Sequence, residues 1–146
     1  MDYGTIISRV KEYNSILKNT KKYRKAWGES IRPMIIEELN KIIEETKLNA
    51  FVEIRDDIEN LEVIALSLGT VVSSIAEKLP GNRTKRSFIK SSGALIFQQL
   101  FNGKIMMMVM YPYIEGYGQP KPPRSLEILR PKNLSVNICC DMLKSF

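Results

Sequence analysis

The sequence predicts an α+β domain: an N-terminal helical pair packed on a four- to five-stranded, mainly antiparallel sheet, closed by a short C-terminal helix. Three observations carry that expectation. Apolar residues recur at helical spacing up to about residue 47, the period changes to two from Asn49, and Asn102-Gly103 divides two apolar runs as a tight hairpin does. The chain has 146 residues, which suits a single domain spanning 1–146 that buries roughly 70% of the surface its unfolded form exposes.

The helices are expected over about 3–47. Tyr3, Ile6, Val10, Tyr13 and Leu17 form one stripe, with Ile7 and Ile16 widening it, so an amphipathic helix is predicted from about Tyr3 to Lys25. Its lysines gather towards the C-terminal turns, where the negative end of the helix dipole favours them. Gly28 and Pro33 bracket a break that Trp27 anchors; Ser30 is placed to cap a second helix, and Pro33 is tolerated in its first turn. Met34, Ile35, Leu39 and Ile42 form the stripe of that helix, with Ile36 and Ile43 to the side. The pair reads as a helical hairpin or as one long helix kinked near Gly28.

The sheet is expected over about 49–130. Phe51, Glu53 and Arg55 alternate with Val52 and Ile54, then Asp56 to Asn60 makes a polar turn. Ile64, Leu66 and Leu68 fall opposite Val63, Ala65 and Ser67, Gly69 marks a bend, and the strand continues to about Ser74. Pro80 to Gly93 reads as a loop. A type I′ turn at Asn102-Gly103 then pairs Leu100 with Ile105, Gln98 with Met107 and Ile96 with Val109 on one face, and Gln99 with Met106, Phe97 with Met108 and Leu95 with Met110 on the other. Both faces are apolar except at Gln98, Gln99 and Lys104, so both need cover. Pro112 to Arg124 is a second loop in which Pro120, Pro122 and Pro123 favour extended backbone. Leu126 to Leu129 adds an edge strand stopped by Pro131, and a terminal helix over about 133–144 presents Leu134, Ile138 and Met142. That helix is too small to hide the second sheet face. A homodimer is therefore expected, through the sheet face or the long N-terminal helix, with Leu95, Phe97, Met106, Met108 and Met110 at the interface.

Composition removes several function classes. The chain has no histidine, which excludes Cys-His zinc sites and catalysis by imidazole. Its two cysteines, Cys139 and Cys140, are adjacent and read as reduced core filler. Met1 to Gly4 lacks the basic start of a signal peptide, and the run from Ile105 to Ile114 contains Pro112 and is too short to span a bilayer. A cytoplasmic protein with no membrane partner and no cofactor is the expectation.

The formal charge of +6 is unevenly spread. Seven cations face one acid between Ser8 and Lys25, nine acids face three cations between Glu37 and Glu62, and six cations stand without an acid between Lys78 and Lys104. Such blocks favour a polyanion, or a second copy whose acidic part meets a basic one.

The segment Gly81 to Gly93 is the strongest lead. Arg83, Lys85, Arg86 and Lys90 suit phosphate, serines and backbone amides donate to it, and Phe88 can stack on an unpaired base. Lys21, Lys22, Arg24 and Lys25 offer a second strip. A solvated loop between strands explains the same residues without a ligand. It is not a P-loop, because no Gly-Lys-Ser/Thr follows. Glu53, Asp56 and Glu62, with Asp57 nearby, suggest a divalent metal of the nuclease kind, against which cross-strand ion pairs are the simpler explanation. Ser91 and Ser92 have no imidazole partner and no nucleophile elbow. The methionine run from Met106 to Met110 suits core, dimer seam or adaptable binding surface alike. Tyr111, Tyr113, Tyr117 and the following prolines either dock on a partner or stiffen a crossing.

The expected function is therefore a non-catalytic dimeric binding protein for nucleic acid or another polyanion. The alternative is a protein-interaction or assembly module using the two-sided sheet and the Tyr/Pro segment, with a metal-dependent nuclease third.

Overall fold

The computed structural model describes residues 3–78, 85–114, 121–135 and 141, with the backbone alone for 71–78 and 85–89. Helices α1, Tyr3–Ala26, and α2, Arg32–Thr46, are joined by a π-helical turn at Trp27–Ile31 in which the Arg32 N–H bonds to the Trp27 carbonyl. The N-terminal pair is thus one continuous rod, not a hairpin. Pro33 explains the widened turn: it lacks an N–H, and its ring presses on the carbonyl four residues back, which an i→i+5 turn relieves. Ser30 does not cap; its hydroxyl donates back to the Ala26 carbonyl at 3.0 Å. The rod ends at Lys47, in left-handed conformation.

The strands are β1, Phe51–Arg55; β2, Val63–Ser67; β3, Thr70–Lys78; β4, Lys85–Ser91; β5, Ala94–Gln99; β6, Ile105–Met110; β7, Tyr113–Ile114; and β8, Arg124–Leu129. A five-stranded antiparallel sheet runs β1-β2-β5-β6-β8, and a three-stranded one runs β3-β4-β7. The two are linked through bent strands. Leu68 N–H donates to the Gly93 carbonyl and Ser92 N–H to that of Gly69, each at 3.0 Å, so the β2–β5 ladder passes through both glycines into β3–β4. A side chain at Gly93 would stand 2.9 Å from the Met110 carbonyl, and its φ of +99° requires glycine as well. This continuity corrects two expectations. The strand after Gly69 reaches Lys78, beyond Ser74, and most of the supposed basic loop is β4.

The hairpin register also differs from expectation. Leu95 pairs with Val109, Phe97 with Met107 and Gln99 with Ile105. Gly103 N–H donates to the Leu100 carbonyl at 2.9 Å and Leu100 N–H to that of Lys104 at 2.8 Å, while Gly103 has φ +79° and Asn102 has no positive φ. That is a three-residue loop, an ordinary turn followed by a left-handed glycine, instead of the two-residue type I′ turn. One extra loop residue moves every methionine of β6 to the other face.

Leu95, Phe97, Ile105, Met107 and Val109 meet Ile64 and Leu66 of β2 on the face covered by the rod, where Trp27, Ile31, Ile35 and Leu39 are buried. Leu134 joins this core just after a 3₁₀ turn at Pro131–Asn133. The terminal helix expected over about 133–144 does not begin there: Asn133 closes the 3₁₀ turn and Leu134 is extended. Beyond Ser135 only Asp141, which is helical, is described; Ile138, Cys139, Cys140 and Met142 lie outside the described residues, as does Tyr117. Among the described residues no helix is long and apolar enough to cross a membrane.

Candidate polyanion site

The last turns of α1 hold the hairpin tip. Gly103 lies so close that a Cβ there would come within 2.7 Å of Tyr23 Cβ and 3.0 Å of the Thr20 carbonyl. The Arg24 guanidinium donates to the Phe101 carbonyl at 2.9 Å. At the sheet edge β8 ends at Leu129, Arg130 follows it, and buried Pro131 turns the chain, with Asn133 N–H donating to the Arg130 carbonyl at 2.9 Å. Arg130 and Lys132 therefore flank a fixed proline beside α1.

Two clefts open between these elements. One, of about 380 Å³, is lined by Asn19, Lys22, Tyr23 and Ser30 from the rod with Arg130 and Lys132. The other, of about 260 Å³, lies between Thr20 and Tyr23 on one side and Asn102, Lys104 and Arg130 on the other. Tyr23, Asn19 and Arg130 line both. Among the described lining residues none is acidic, and none of Lys22, Lys104, Arg130 and Lys132 takes part in the ion pairs seen between described residues. Four cations with amide and hydroxyl donors around one aromatic ring can hold phosphate groups and an aromatic base face.

The residues expected from the sequence fall in several places. Lys22 lines the larger cleft. Lys21 and Lys25 are exposed on α1, Lys25 standing 4.0 Å from Glu29, and Arg24 is committed to the hairpin tip. Lys90 is exposed at the end of β4; Lys85, Arg86 and Phe88 are on β4 with backbone alone described, and Arg83 lies outside the described residues. The six residues of β5 separate this segment from the hairpin tip, a span of about 20 Å along the strand. The basic helix and basic segment therefore stand at opposite ends of the sheet and make no single strip.

Of the expected interface residues, Leu95 and Phe97 are fully buried under the rod, whereas Met106, Met108 and Met110 are half-buried on the other face. The three carboxylates are each engaged. Glu53 pairs with Arg55 at 2.9 Å, Asp56 with Arg32 at 3.5 Å, and Glu62 accepts from the Trp27 indole at 2.7 Å. Among the described residues no three acids or cysteines gather where a metal could sit. Sequence reading missed Tyr23, Lys104, Arg130 and Lys132. The one local signal was Arg130-Pro131-Lys132, two cations held apart by a rigid residue.

The chain matches no known protein family, no curated protein and no solved structure.

Proposed function

We propose that the chain is a cytoplasmic, non-catalytic binding protein that engages nucleic acid through the clefts around Tyr23 and Arg130. The observation that carries the reading is the convergence of Lys22, Lys104, Arg130 and Lys132, from three separate elements, around a shared aromatic residue with no acid among the described lining. Phosphates neutralised by these cations supply affinity, and Tyr23 offers a ring on which an unpaired base stacks. Single-stranded nucleic acid fits better than duplex, because stacking needs an unpaired base. Titration with single- and double-stranded oligonucleotides at low salt tests this: binding weakens on Arg130→Ala and Lys132→Ala, and absence of binding refutes it.

A second reading, a protein-interaction module, is favoured by the outer sheet face, where Ile96, Met106, Met108 and Met110 are half-buried and Ile128 is 53% exposed. A chain that ignores oligonucleotides and loses a protein partner on Ile128→Asp supports this alternative.

A further inference from the structure

Every residue of α1 from Tyr3 to Asn19 is exposed, and its large apolar side chains are 49–61% exposed. Five of them, Tyr3, Ile6, Val10, Tyr13 and Leu17, follow alternating steps of three and four, the 3.5-residue period of a heptad seam. The sheet-facing part of the same rod is spaced differently: Trp27, Ile31, Ile35 and Leu39 recur every four residues. One rod thus carries two apolar stripes, one fitted to a sheet and one fitted to another helix.

We infer that this seam binds a second copy of the chain, with the two α1 helices antiparallel. Half-exposed side chains of this number and size offer on the order of 700 Å² per subunit, close to the roughly 800 Å² per partner of a standard interface. A free helix of this length has marginal stability in water, and burying its seam supplies the packing it lacks.

Charge selects both the seam and the direction. Lys11 and Lys22 lie on the far side of α1 from the stripe, and Lys18 and Lys25 flank it, so pairing does not bury their charged ends. Lys18, Lys21, Lys22, Arg24 and Lys25 crowd the C-terminal third. Parallel helices would set these two blocks side by side, whereas antiparallel helices keep them at opposite ends and align the helix dipoles favourably.

Length agrees with direction. When Ile6 meets Leu17 of the partner subunit and Val10 meets Tyr13 of the partner subunit, the overlap runs from Tyr3 to Thr20. Thr20 is where the hairpin tip first meets α1. The overlap therefore uses the exposed stretch of α1, about 27 Å, and stops where the hairpin tip packs on it. Pairing leaves the basic far side of α1 outward and does not depend on the nucleic-acid reading.

Sedimentation equilibrium of the full chain gives the first test. The wild type should have twice the 16.8 kDa of one chain, and Val10→Asp or Tyr13→Lys should halve the mass while Trp27 fluorescence stays unchanged. A wild-type monomer, or a dimer that survives both substitutions, overturns the proposal, as does a monomer that co-sediments with anionic phospholipid vesicles. Direction is read with Cys139→Ser and Cys140→Ser as background. Ile6→Cys and Leu17→Cys chains, mixed and oxidised, should form the mixed disulfide; Ile6→Cys linked to itself instead means parallel helices and overturns the arrangement.

Discussion

The indole N–H of Trp27 donates to Glu62 Oε2 at 2.7 Å, and Arg32, five residues further along the rod, brings its Nε within 3.7 Å of the same oxygen. In an α-helix positions five apart point about 140° away from each other. The π turn between them brings both to one side, so the widened turn that Pro33 requires also aims two donors at one carboxylate. Glu62 is held from the sheet as well: its N–H donates to Gln99 Oε1 at 3.3 Å and its carbonyl accepts from Gln99 N–H at 2.9 Å. This explains a glutamine, 2% exposed, in an apolar strand.

Glu62→Ala leaves the buried indole N–H without an acceptor and should destabilise the fold by about 1–3 kcal/mol. Glu62→Gln, which keeps an acceptor, should cost less. Denaturant unfolding followed by the fluorescence of Trp27, the only tryptophan, measures both.

The register makes neighbouring methionines unequal. Met107 is fully buried beside Phe97, whereas Met106 and Met108 are half-buried on the other face. Met107→Ala should cost about 2–5 kcal/mol, and Met106→Ala and Met108→Ala clearly less. The reverse ranking in unfolding midpoints would restore the two-residue turn.

Two glycines of the rod and hairpin should respond with opposite signs. Gly103→Ala meets both a positive φ and the backbone of α1 at Thr20, so it should destabilise by at least about 1 kcal/mol and loosen the smaller cleft. Gly28 lies in helical backbone, and a Cβ added there would meet nothing within 4 Å, so Gly28→Ala should stabilise by about 0.5–1 kcal/mol. Thermal unfolding of both variants checks the contrast.

Periodicity made the rod and the five-stranded sheet legible, but not which residues the rod covers: Leu95 and Phe97, expected at an interface, are buried under it. It did not reveal what covers α1: the stripe from Tyr3 to Leu17 is the most regular in the chain, yet none of it is buried by the described fold. The hairpin was legible in kind but not in register, since Asn102-Gly103 fits two turn types and the three-residue loop takes in Phe101 as well. Lys85 to Ser91 looked like a loop because its cations masked a strand whose ladder is inherited through Gly69 and Gly93. The clefts were the least legible feature. Lys22 and Arg130 are far apart in sequence, and only the docking of the hairpin tip and the turn at Pro131 brings them together.

The salt dependence of single-stranded oligonucleotide binding tests the central claim most directly. The logarithm of the affinity should fall linearly with the logarithm of salt concentration, and Arg130→Ala and Lys132→Ala should each flatten the slope by about 0.7, the value of one phosphate contact on a single strand. Lys90→Ala, at the far end of the sheet, should leave the slope unchanged. Undetectable binding at low salt, or a slope that responds to Lys90 and ignores Arg130 and Lys132, would contradict a nucleic-acid site around Tyr23.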